Sequence, residues 1–182
     1  MKPKTTTRYG KKIARLALLA GLALLSFLIE GLFPPVLIPG AKLGIGNAFS
    51  LFALLLYGLP EALAVVAIKT VLGSIFAGNL SLLLYSFTAG VLSVCAARIF
   101  LCAFPYISVV AVSVLSAAVH NTVQCAVYAL LSGTLLVFSY LPYLLLLGIL
   151  SGALVGFLVV YTVKALPQTA MQTLPVKKEN LT

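Results

Sequence analysis

A lysine in the middle of an apolar run is the residue best placed to do chemistry in this chain. Lys69 stands in AVVAIKTVLGSIF, about nine residues beyond Pro60, which on a helix is ~13 Å and close to the centre of a bilayer. A charge at that depth costs on the order of 3 kcal/mol, so it must face a cavity or a partner. Glu30 is the acid able to pair with it. An ion pair between helices and a positive group offered to a solute are compatible readings. A second polar group lies in HNTVQ, where His120, Asn121 and Gln124 bring donors and acceptors together. Ser113, Ser116, His120, Gln124 and Tyr128 recur at spacings of three or four and so share one helical face. In lipid such a stripe must turn inward, to bond neighbouring helices or to line a wet pocket.

Both groups need a third wall, and the stretch Glu30 to Asn47, EGLFPPVLIPGAKLGIGN, supplies one. Pro34, Pro35 and Pro39 break any helix leaving Ile29, because proline lacks a backbone donor and clashes with the preceding turn. Irregular backbone at a membrane boundary is tolerated where protein buries it or where it lines a wet cavity. Lys42 and Asn47 then arrive beside Glu30.

The elements that position these residues follow from composition. The chain is 62% hydrophobic and 8% charged, with a mean hydropathy of +1.18, which predicts a multispanning, all-α membrane protein. Apolar runs at about Ile13–Ile29, Leu43–Tyr57, Pro60–Phe76, Ser81–Ile99, Ser108–Leu131 and Tyr140–Leu166 predict a bundle of six transmembrane helices. A Pro/Gly-rich broken segment follows the first. The second run is short for a crossing of ~30 Å at ~1.5 Å per residue and should begin below the outer surface. The domain division is a basic tail at 1–12, a membrane domain at 13–166 and a flexible tail at 167–182. The N-terminus imitates a signal peptide, but without a clean cleavage site it reads as the first span.

Charge sets the expected orientation. Six of the twelve basic residues lie within the first fifteen positions, and Arg98, Lys164, Lys177 and Lys178 fall on the same side of a six-span topology. Both termini are therefore expected in the cytoplasm, with the protein in the cell membrane. Lys42 and Lys69 are the two exceptions. The pI near 9.7 reports this topology; a nucleic-acid partner would need a basic face on a folded soluble surface. The acids are Glu30, Glu61 and Glu179, with no aspartate. Glu61 reads as a first-turn acid on the helix that opens at Pro60, where the macrodipole favours it, with a ligand role as the alternative. One histidine and three cysteines without CxxC spacing give no expected metal centre and no cofactor.

Small residues supply two close-packing strips. Gly148, Gly152 and Gly156 form GxxxGxxxG in the last span, and Ala14, Ala17 and Gly21 form a strip on the first. Each allows packing inside the bundle or docking of a separate partner, and the first span favours docking. Ser86, Gly90, Ser93 and Ala97 read as internal packing.

The motifs PGAKLGIGN (Pro39–Asn47), GLPEAL (Gly58–Leu63) and HNTVQ (His120–Gln124) together resemble the Gx transporter family, also labelled heptaprenyl diphosphate synthase component I. The resemblance runs from about Ala14 to Gly156. The family is similar in architecture to substrate-binding S components of energy-coupling factor transporters. This implies six helices, an outward-opening pocket, and a coupling subunit with two ATPases docked on the Ala14, Ala17, Gly21 strip. Lys69 departs from the family, where arginine is expected, and this leaves a point charge in place of a bidentate phosphate contact. The expected function is capture of a small anionic or amphiphilic solute by a chain that is not an enzyme. Lys42 and Lys69 would supply charge, Asn47, His120, Asn121 and Gln124 hydrogen bonds, and Glu30 an orienting partner for a lysine. The alternative is a non-catalytic membrane component of a polyprenyl diphosphate synthase that anchors a soluble catalytic chain. Prenyl synthases hold magnesium diphosphate with clustered aspartates, which this chain lacks. No GxxxxGK[ST] loop is present to supply energy.

Overall fold

The computed structural model describes residues 4–32, 44–104 and 106–165. The expected broken segment at 33–43, with Lys42, and the expected C-terminal tail lie outside the described residues. The described elements are α1 (Lys4–Leu32), α2 (Ile45–Leu56), α3 (Leu59–Phe76), α4 (Leu80–Ala103), α5 (Val109–Ser132), a 3₁₀ turn (Leu135–Tyr140) and α6 (Leu141–Lys164). No strand occurs among them. Five are long and apolar enough to cross a membrane. The second, α2, has 12 residues. At ~1.5 Å per residue it is ~18 Å long, short for a ~30 Å core as expected of the second run, so the described residues hold five helices of spanning length and one shorter apolar helix.

Local chemistry sets the breaks. Gly44 (φ 72°) and Gly58 (φ 109°) take backbone conformations that side-chain-bearing residues rarely adopt, and they delimit α2. Pro60 follows in the first turn of α3, where its missing amide costs nothing. Asn79 and Ser108 accept the amides of Leu82 and Ala111 and so cap α4 and α5. α1 starts at Lys4, well before the apolar run, because the polar stretch before it contains no proline after Pro3 to stop a helix.

Successive helices run antiparallel, so Lys12, Arg98 and Lys164 lie toward one end, called here the basic end. There Lys12 of α1 pairs with Glu61 in the first turn of α3. Glu61 thus has the first-turn position expected of it and also a partner that spacing could not reveal. α1, α3, α4, α5 and α6 pack in ring order, and α2 closes the ring between α6 and α1. Between helices surrounded by lipid the attraction is mainly van der Waals packing, so close approach matters more than apolar burial as such. A β-carbon on Gly90 would lie 2.7 Å from Val66 Cγ1, and one on Gly156 2.7 Å from Val110 Cα. The GxxxGxxxG strip of α6 is therefore spent on α5, inside the bundle.

Fully buried aliphatics concentrate in the basic-end halves of their helices: Leu54, Val66, Val109, Val112, Val159 and Val163. Hydroxyl and amide side chains concentrate above them. That division gives the bundle a packed layer at one end and a hollow in the other half.

Candidate functional site

The site is built on the exposed start of α2. The first amides of a helix have no partner within it, and Gly44 offers no side chain to cap them. Glu30, near the C-terminus of α1, supplies the cap: Oε2 accepts from Gly44 N at 3.1 Å and Oε1 from Gly46 N at 3.2 Å. A carboxylate at this end also meets the positive end of the helix dipole. From the other side Lys69 Nζ donates to the Gly46 carbonyl at 3.2 Å and to Asn47 Oδ1. Gly46 is thus held by a carboxylate at its N–H and an ammonium at its C=O. A β-carbon there would lie 3.1 Å from the Ala23 carbonyl of α1, so glycine lets the backbones meet. Lys69 is 3% exposed although it carries a charge in a membrane-length helix. Glu30→Ala is expected to lower stability by about 1–2 kcal/mol, the typical cost of a lost cap, read as the thermal midpoint in detergent. An unchanged midpoint would mean that Glu30 does not hold α2.

Lys69, Glu30 and Asn47 form one side of a hollow whose other side is α5. His120, Asn121 and Gln124 line it together with Ser113 and Ser116. Six of the seven residues expected at a solute site therefore border one space; Lys42 lies outside the described residues. The hollow encloses about 70 Å³ and is open at its mouth. From Ser113 to Gln124 it follows roughly 16 Å of α5, by the helical rise. Leu54, Val94 and Ala97 border its deep end. Four members of the α5 stripe face this space. The fifth, Tyr128, is 45% exposed and meets Tyr85 edge-on at 6.1 Å. Asn121 also ties α5 to α6, since its Nδ2 donates to the Leu144 carbonyl at 2.7 Å, beside Gly148.

Several wall residues were not singled out by spacing. Thr70 and Ser151 line the hollow and donate to carbonyls of their own helices, Val66 at 2.7 Å and Gly148 at 3.4 Å. Ser86, Ser93 and Ala97, expected in internal packing, also line it, while Gly90 between them packs on Val66. Ser50 lines it from α2, 1% exposed, and among the described residues its Oγ has no hydrogen-bond partner. The one sequence signal for Ser50 is its position one turn after Asn47.

The walls can hold a polar solute through one cation, one carboxylate and many hydroxyl and amide groups. Among the described residues no cluster of three or more His, Cys, Asp or Glu could hold a metal. Ala14, Ala17 and Gly21 lie elsewhere, on the exposed face of α1, with nothing within 4 Å of where a Gly21 β-carbon would stand. A family model described as heptaprenyl diphosphate synthase component I matches residues 19–162. No curated protein and no solved structure matches the chain.

Proposed function

The chain belongs to the heptaprenyl diphosphate synthase component I family, and from the polar hollow of its bundle we propose that it is a membrane solute-binding protein, similar to the S components of energy-coupling factor transporters. The observation that carries this reading is that Glu30, Asn47, Lys69, His120, Asn121 and Gln124, drawn from four helices, border one hollow. Structural ties alone would account for such groups one pair at a time and would leave no empty space between them. The solute is small and anionic or amphiphilic, with its polar group at the level of Lys69 and His120 and its apolar part toward Leu54. The basic end faces the cytoplasm, as the positive-inside bias argues, so the hollow belongs to the outer half of the membrane.

Energy for uptake comes from a separate coupling subunit with ATPases, docked on Ala14, Ala17 and Gly21. A small-residue face open to lipid supports this, since helices approach closest there. Native mass spectrometry of the purified protein tests the binding reading: a retained small molecule supports it, and a protein that never carries one does not. Gly21→Leu tests the docking face. It is expected to leave the thermal midpoint unchanged and to reduce recovery of ATPase and coupling subunits in pull-downs from native membranes at least about tenfold, the equivalent of ~1.4 kcal/mol.

The family description favours a second reading, a non-catalytic membrane component of a polyprenyl diphosphate synthase. Recovery of an aspartate-rich soluble synthase in the same pull-down, with no ATPase, would support it over the first.

A further inference from the structure

Among the hydroxyls around the hollow, that of Ser50 is both fully buried and without a hydrogen-bond partner among the described residues. Serine and threonine inside a helix usually donate back to the carbonyl three or four residues earlier. Thr70, Ser93, Ser116 and Ser151 all do so here. For Ser50 the carbonyl four residues back is that of Gly46. Its two lone pairs are already engaged, one by the amide of Ser50 in the helix ladder and one by Lys69 Nζ at 3.2 Å. The lysine thus takes one of the two backbone acceptors within reach, and the other, the Asn47 carbonyl three residues back, receives no bond from Ser50 Oγ. The hydroxyl is left on the wall of the hollow, 1% exposed and without a hydrogen-bond partner among the described residues.

Resting on the solute-binding reading above, we infer that Ser50 is a solute-contacting residue and that the solute carries an acceptor oxygen reaching into the lower half of the hollow. Ser50 stands one helical turn below Asn47 and one turn above Leu54, between the polar ring and the apolar floor. A carbonyl, carboxylate or phosphoryl oxygen at this level receives the Ser50 proton within reach of the field of Lys69. A plain hydrocarbon tail would leave the hydroxyl unsatisfied. The polar part of the preferred solute therefore extends down to Ser50, and only the part beyond it, toward Leu54, is apolar.

The test uses the full-length protein in detergent and has two arms. In the first, protein stripped of small molecules is unfolded thermally. Ser50→Ala is expected to match or exceed the wild-type midpoint, since it deletes a hydroxyl that bonds to nothing; a lower midpoint would reveal a structural partner and overturn the inference. In the second, the adduct mass kept by wild type in native mass spectrometry is followed. Ser50→Ala is expected to lower its retention about tenfold, and Ser50→Thr, which keeps the hydroxyl, to restore most of it. Equal retention by wild type and Ser50→Ala means that an ordered water alone meets the hydroxyl, and it overturns this inference while leaving the binding reading intact. A wild-type protein that carries no adduct overturns both.

Discussion

Lys69→Met is expected to abolish solute retention, by roughly a hundredfold, while the bundle still assembles. Methionine matches the unbranched length of lysine, so the volume beside α2 stays filled and the change is confined to charge and hydrogen bonding. Two effects oppose each other in stability. The substitution removes two hydrogen bonds from an ammonium, to Gly46 O and Asn47 Oδ1, worth about 1.5–3 kcal/mol each when one partner is charged. It also relieves the cost of keeping a charge in a membrane-length helix, on the order of 3 kcal/mol. The net loss is then only about 0–3 kcal/mol, at most a fall of several degrees in midpoint.

Nothing offsets the loss at the site. A solute oxygen near Lys69 gives up a charge-assisted contact, and Glu30 remains as the charge facing it. At ~1.4 kcal/mol per decade, losing ~3 kcal/mol is about two decades of affinity. Lys69→Arg keeps the charge and five donors, and is expected to retain the adduct within about tenfold of wild type, given the space of the hollow. Retention by Lys69→Met at the wild-type level would remove the lysine from the site and leave it as a structural tie on α2. Parallel loss of midpoint and abundance in both variants would say the same.

How far the sequence reached can be argued from single residues. The all-helical membrane class follows from composition, because so apolar a chain must satisfy its backbone internally. Lys69 was legible because a charge deep in an apolar run demands a reason wherever it points. The α5 stripe was legible because a period of three to four needs no partner to be seen. What spacing could not give was partnership across the bundle. Glu30 was expected beside a lysine, and it caps α2 through Gly44 and Gly46. That role depends on α1 approaching Ala23 to Gly46, a distance that no local pattern encodes.

Ser50 was invisible for a related reason. A lone serine in an Ala/Leu/Phe helix looks like a tolerated polar residue, and only its buried Oγ, without a partner among the described residues, distinguishes it. Asn121 stood out as a polar side chain, yet its bond to Leu144 makes it a brace between α5 and α6 as well as a wall residue. The two small-residue strips share one pattern in sequence, with docking favoured on the first span. Their difference, one packed on α5 and one open on α1, is a property of neighbours.

That difference yields the second large effect. Gly152→Leu is expected to prevent accumulation of folded protein, and Gly152→Ala to lower stability by about 1–3 kcal/mol. A β-carbon at Gly152 would lie 2.8 Å from Val114 Cα and 3.1 Å from the Ser113 carbonyl. These are backbone atoms on α5, which no rotamer change can move aside. α6 would have to withdraw from α5 by the width of the clash, and the 2.7 Å bond from Asn121 to Leu144 would stretch with it. Withdrawal also costs the van der Waals contact that holds helices together in lipid, where no hydrophobic term compensates. Because Gly152 borders the hollow, even the milder Gly152→Ala should lose retention of the small-molecule adduct in step with its midpoint. Gly21→Leu is the matched control, a larger side chain with open space around it. Size-exclusion profiles and thermal midpoints of the three variants decide the matter. A monodisperse Gly152→Leu protein with a wild-type midpoint would mean that α5 and α6 stand farther apart than this packing requires.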